Sequence, residues 1–249
     1  MRTTTILMIT ASPLVLAAWL GGMATPLRAA DLAPAPAPVY FKAPPQAEPF
    51  NPWMLRLRLL GVLPDTRGSS VNVIGVSPLS SPSSGLSISD QAIPELDITY
   101  FFTPNVAAEL ILGVSRHHIS GDGALNGLNI GKASLLPPTL TLQYHFTDFG
   151  AFKPYIGAGI NYTLFFNQTA ANTPFAGLTV TDLHINNQVG PAVQFGFDYM
   201  LDRHWGINVD AKKLWLRPEY SATVNGVIPV TGRVNIDPWF VSGGITYKF

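Results

Sequence analysis

The 249-residue chain has no cysteine, which excludes a disulfide scaffold and a thiolate metal site. Charge is scarce. Asp, Glu, Lys and Arg make up 12% of residues, about half of the usual quarter. The charges are also balanced, 15 basic against 15 acidic, so there is no electrostatic footprint for nucleic acid. No P-loop, GxSxG or HExxH motif occurs, and no cofactor is expected. Long apolar runs are missing as well. Mean hydropathy is +0.24, yet only one run, near the N-terminus, is long enough to suggest a membrane helix. A charge-poor, apolar chain of this kind fits a membrane β-barrel, whose apolar residues are diluted by alternation.

Residues 1–30 read as a secretory leader. Arg2 precedes an apolar stretch from Ile6 to Trp19, and small residues follow, with a cleavage region at Ala29 and Ala30 or at Gly22 to Ala24. Residues 31–50 form an Ala/Pro-rich periplasmic linker, extended and PPII-like. It reads as a tether, with a lumen plug or a peptidoglycan-facing contact as the sharper alternative. The barrel itself is expected over 51–249.

The last thirteen residues, DPWFVSGGITYKF, show the barrel's grammar. Trp239, Val241, Gly243, Ile245, Tyr247 and Phe249 share one face, and Ser242, Gly244, Thr246 and Lys248 share the other. The same period-2 pattern recurs seven times upstream, predicting strands over 53–64, 93–102, 106–115, 135–146, 152–166, 183–200 and 205–216. The connections alternate long and short. Segments 69–89, 116–133, 167–182 and 217–231 read as long loops, and 103–105, 147–151 and 201–204 as tight turns. Eight antiparallel strands with this alternation predict an all-β, up-and-down transmembrane barrel with both termini periplasmic. Aromatics gather at the short-turn end, among them Trp53, Tyr100, Tyr144, Tyr199, Trp205 and Tyr247, as an interfacial girdle.

Arg56 and Arg58 sit in a strand of leucines. They suit a barrel whose leucines face lipid and whose arginines face a hydrated lumen. The same parity turns Glu95, Asp97, Glu109, Asp198, Asp210 and Lys212 inward. In so narrow a lumen these charges must pair, either as a neutralised filling or as a selectivity network. Nearer the external end, Leu60, Val62, Ile111, Leu135, Pro137, Leu214 and Leu216 are inward by parity. They are expected to form an apolar vestibule or simply to pack the barrel. Ser115, Arg116, His117 and His118 lie at an external strand end. A Ser/His enzyme would need an orienting acid and an oxyanion hole. Asp122 is the nearby acid, and adjacent histidines on a strand point apart. No catalytic, cofactor or metal site is expected.

The segments IPELDITYFFT, LLPPTLTLQYHF, KPYIGAGINYT, DYMLDRHWGINVDAKKLWLRP and IDPWFVSGGITYKF occur in order over residues 53–249. They resemble the OmpW family of small outer-membrane barrels. The resemblance implies an eight-stranded barrel in the cell outer membrane, with a narrow, partly hydrophobic lumen that passes small hydrophobic molecules. Outer-membrane lipid and lipopolysaccharide would surround it. It further implies that Tyr247 and Phe249 are read as an assembly signal by the barrel-insertion machinery. A barrel that transports nothing and acts through its external loops is the alternative.

Overall fold

The computed structural model describes residues 50–249. The leader expected over 1–30 and nearly all of the linker lie outside the described residues. Fifteen strands follow in order: β1 (Trp53–Leu63), β2 (Ser70–Val73), β3 (Ser84–Ile88), β4 (Gln91–Phe101), β5 (Val106–Gly113), β6 (Ser115–Gly123), β7 (Asn129–Leu136), β8 (Thr139–His145), β9 (Phe152–Ala170), β10 (Val180–Ile185), β11 (Gln188–Met200), β12 (Trp205–Leu214), β13 (Glu219–Val224), β14 (Ile228–Arg233) and β15 (Trp239–Lys248).

Eight of them, β1, β4, β5, β8, β9, β11, β12 and β15, make a closed antiparallel barrel. Closure is by the last strand on the first, with Leu55 opposite Tyr247 and Leu63 opposite Trp239. A closed ladder leaves no strand edge facing lipid. The alternation read from sequence holds along the wall. Leu57, Leu59, Leu96, Leu142, Ile156 and Ile160 face outward and exposed, while Arg56, Arg58, Glu95 and Asp97 are buried inside. The 11 residues of β1 rise about 3.3 Å each. A tilt of about 40° leaves roughly 28 Å of height, close to the apolar band of an outer-membrane barrel. The predicted girdle is exposed at the short-turn end, apart from the half-buried Tyr247, and its rings contact one another. Trp53 lies 4.9 Å from Tyr100, and Trp205 lies 4.8 Å from Tyr247, centroid to centroid. The ends of β1 and β15 share that side. At the opposite end Trp215, Trp239, Tyr162 and Phe166 are exposed as a second aromatic set.

The four predicted long loops are largely strands, which corrects the sequence reading. Segment 69–89 holds β2 and β3, and 116–133 is mostly the β6–β7 hairpin. Segment 167–182 contains the end of β9 and the start of β10, and 217–231 is built on the β13–β14 hairpin. They form two sheets that extend the barrel outward. One is β3-β6-β7 continued from upper β9, and the other is β10-β13-β14-β2. Side chains bridge the seams between them. The Gln168 amide donates to Ile185 O at 3.0 Å and accepts from Ile185 N at 2.5 Å. At the other seam, Ser81 Oγ accepts from Val71 N at 2.9 Å.

Candidate functional site

The lumen is layered. Nearest the short-turn end, Met54, Phe101 and Ala107 form a small buried apolar seal. His145 lies between Phe101 and Tyr155, its ring tilted against both, with centroids 4.8 and 4.9 Å away. Above lies a floor made of all eight charges that parity turned inward, each at most 2% exposed. Arg56 grips Asp198 with two donors, Nε to Oδ1 at 3.0 Å and Nη2 to Oδ2 at 2.7 Å. Its remaining arm donates to Glu109 at 2.7 Å and to Thr99 at 2.9 Å. Arg58 contacts Glu95 at 2.7 Å and Asp97 at 2.5 Å as charge pairs, and donates to Asn208 at 2.8 Å. Lys212 contacts Asp210 at 2.6 Å and Glu95 at 3.3 Å.

Neutral donors complete the shell around the carboxylates. Gln143 and Gln194 each donate to Glu109 at 2.7 Å. Tyr155 donates to Asp210 at 2.8 Å, and Thr246 to Asp198 at 2.7 Å. This filling needs small inward neighbours. A Cβ on Gly196 would stand 2.6 Å from the Tyr155 hydroxyl, and one on Gly244 would stand 2.6 Å from Arg58 Cα. Three cations thus face five carboxylates. Lys248, on the same face of β15 as Thr246, lies 5.1 Å over the Phe101 ring instead.

Directly above the floor, Leu60, Val62, Ile93, Ala192, Leu214 and Phe240 pack as one buried apolar layer. Leu60, Val62 and Leu214 are therefore together as parity predicts. Ile111 is buried too, but its register neighbours are Asp97 and Thr139, level with the floor. Leu135 and Leu216 belong higher up, in the larger cluster that joins the inner faces of the two outer sheets.

That cluster is hollow. A narrow cavity of about 40 Å³ runs from Phe240, Val62 and Pro137 up to Leu86, Ile130 and Tyr220. A second, of about 130 Å³, continues from those same three residues to Val71, Val224 and Leu125. Together they form an apolar funnel whose base is the packed layer above the charged floor. Most of its walls come from segments read as loops. Serine, glycine and proline masked the short alternations SVNV and EYSATV. One signal was available: Asn225-Gly226 joins β13 to β14 with φ of 53° and 73°, the left-handed pair that a type I′ hairpin turn requires.

The wall beside the funnel is interrupted. The β5–β8 ladder ends at Ile111 opposite Thr139, and the β6–β7 ladder begins at Ser115 opposite Leu135. Between them Leu112, Gly113 and Val114 face Leu136, Pro137 and Pro138 without a ladder pair. Proline has no N–H to offer. The proline carbonyls are satisfied from within β8 and from β9: Thr139 and Asn161 donate to Pro137 O, both at 3.0 Å, and Tyr162 N donates to Pro138 O at 3.0 Å. Pro137 lines the cavity, and Val114 outside is 54% exposed.

The residues singled out at 115–118 separate by face. His117 is buried and lines the cavity, while His118 and Arg116 are exposed outside. Asp122 is exposed, with its side chain accepting from the Gly123 N–H at 2.8 Å. Among the described residues no cluster of three or more His, Asp or Glu could hold a metal.

The sequence pattern of the OmpW family matches residues 52–249. The outer-membrane protein y4mB of Sinorhizobium fredii is 55% identical over 199 residues, covering 80% of each chain. The dibenzothiophene metabolism operon protein PahQ of Pseudomonas aeruginosa is 27% identical over 213 residues, 85% of this chain and 95% of its own. The crystal structure of the outer membrane protein OprG from Pseudomonas aeruginosa superposes with a TM-score of 0.71 at 28% identity, covering 79% of this chain and 95% of OprG. With the closed barrel and its lipid-facing wall, these matches identify the chain as a member of the OmpW family, an eight-stranded β-barrel of the outer membrane.

Proposed function

We propose that the barrel is a passive, non-enzymatic uptake route for small hydrophobic molecules. They enter the external funnel, halt at the charged floor and leave sideways into the bilayer. The observation that carries this reading is the narrow apolar cavity set one packed apolar layer above a buried ion-pair floor. An apolar solute gains by leaving water for the funnel, and would lose by entering a layer of desolvated charges. The unladdered wall between Leu112–Val114 and Leu136–Pro138 offers the way out at the funnel's base. PahQ's name ties one relative to the metabolism of an apolar heterocycle, which supports the same solute class.

In this reading the short-turn side, with both barrel ends, is periplasmic. The leader and the linker precede it as export signal and tether. Purified barrel in liposomes should speed entry of an apolar fluorescent solute. Leu60→Asp places a carboxylate in the packed layer just beneath the funnel, where Leu60 is 2% exposed, and should cut that flux severalfold with ion conductance little changed. A barrel that passes no apolar solute at all would instead be one that acts only through its external surface.

A further inference from the structure

The lower cavity, which reaches down to Val62 and Phe240, is lined almost wholly by carbon. Only Ser115, His117 and Tyr220 bring side-chain polar atoms to it. The Tyr220 hydroxyl is turned into the wall, where it donates to Ser70 O at 3.2 Å and would meet a Cβ on Gly232 at 2.9 Å. Ser115 and His117 are different. They share the inner face of β6, two residues apart, 4% and 2% exposed. Ser115 is also the first paired residue above the unladdered wall, opposite Leu135. The one polar spot of the cavity therefore stands at the threshold of the proposed exit.

The hydrogen bonds around this pair fix which way each proton points. His117 Nδ1 lies 2.6 Å from the carbonyl oxygen of Ser89. A carbonyl can only accept, so Nδ1 carries the ring hydrogen. Burial holds the imidazole below its usual titration range, against the opposing pull of Asp90 and of the Ser89 carbonyl, with His118 adding to the depression. The neutral ring then has its lone pair on Nε2. Ser115 Oγ lies 3.0 Å from Nε2 and must donate its only proton there. What Ser115 turns to the cavity is an oxygen with lone pairs and no hydrogen to give.

Resting on the uptake reading, we propose that Ser115, oriented by His117, is a specificity-determining acceptor that seats solutes carrying a hydroxyl or other hydrogen-bond donor at one end of an apolar body. Alcohols and phenols satisfy it. Ketones and ethers of the same length bring a second acceptor and find no donor, and alkanes bring nothing. One neutral hydrogen bond of this kind is worth about fivefold in binding.

The test compares 1-octanol, 2-octanone and octane on purified barrel in vesicles, each corrected for uptake by protein-free vesicles. Wild type should favour octanol over octanone by about fivefold. Ser115→Ala should bring the octanol-to-octanone ratio close to one, and Ser115→Thr, which keeps the hydroxyl, should retain the preference. The side-chain nitrogen shifts of His117 should report the Nδ1–H tautomer. Equal handling of octanol and octanone by wild type overturns the inference while leaving uptake intact, and it does so even where Ser115→Ala fails to fold. An unaltered ratio in a folded Ser115→Ala barrel overturns it as well. If none of the three solutes is taken up, the uptake reading fails and the seat falls with it.

Discussion

Arg58→Ala tests the floor most sharply. Arg58 is 2% exposed and touches Glu95 at 2.7 Å and Asp97 at 2.5 Å, with Asp210 at 3.8 Å. Removing the guanidinium leaves Lys212 as the sole cation in contact with Glu95, and it leaves Asp97 without a cationic partner. Breaking a buried pair by deleting one partner costs about 3–5 kcal/mol, because an uncompensated charge stays behind. For a chain of this length the urea dependence is about 2–3 kcal/mol per molar. The urea midpoint should therefore fall by roughly 1–2.5 M, read by heat-modifiable migration or tryptophan fluorescence of the folded barrel. Arg67→Ala is the control. Arg67 also contacts a carboxylate, Asp65, at 2.6 Å, but its side chain is 90% exposed at the external rim, where a pair contributes little. Its midpoint should stay where it was. If the two substitutions shift the midpoint equally little, the floor charges are individually hydrated and the lumen is open there.

Deleting Phe249 should lower the folded, membrane-inserted fraction while leaving synthesis and export intact, since Tyr247 and Phe249 are the proposed assembly signal. Fractionation and gel migration would show it, and unchanged abundance of folded barrel would remove the signal from the account. Tags inserted near Ser83 or Ala171, both in the outer extension, should be labelled on intact cells, and a tag within 31–49 should not. Labelling of the linker tag in sealed cells would reverse the topology.

The barrel was readable because lipid tolerates so little. Arg56 and Arg58 among leucines can face only inward, and that one parity orders every neighbouring strand by register. Arg56 lies opposite Asp97, and Arg58 opposite Glu95. Which charges meet was not readable, because the partners converge from across the lumen. Arg56 and Asp198 stand 142 positions apart. The funnel was hidden for a different reason. Its strands are four to nine residues long, rich in serine and glycine, and buried against one another rather than against lipid. Their alternation is therefore weak. The Ser115–His117 pair was noticed only as part of the run 115–118. Adjacent histidines do point apart, but Ser115 and His117, two apart, share a face, and Ser89 supplies the carbonyl that sets the ring.

The account's central claim is that solute leaves through the wall rather than through the floor. The chain's lack of cysteine permits a direct measurement. Cysteines placed at Val114 and Leu136, on the two sides of the unladdered stretch, can be joined by a short, reducible bifunctional thiol reagent in the reconstituted barrel. Flux of an apolar solute should collapse when the wall is bridged and return when the bridge is reduced, with the urea midpoint no lower than before. Unchanged flux through the bridged barrel, together with loss of flux in Arg58→Ala, would contradict the account and put the route straight through the charged floor.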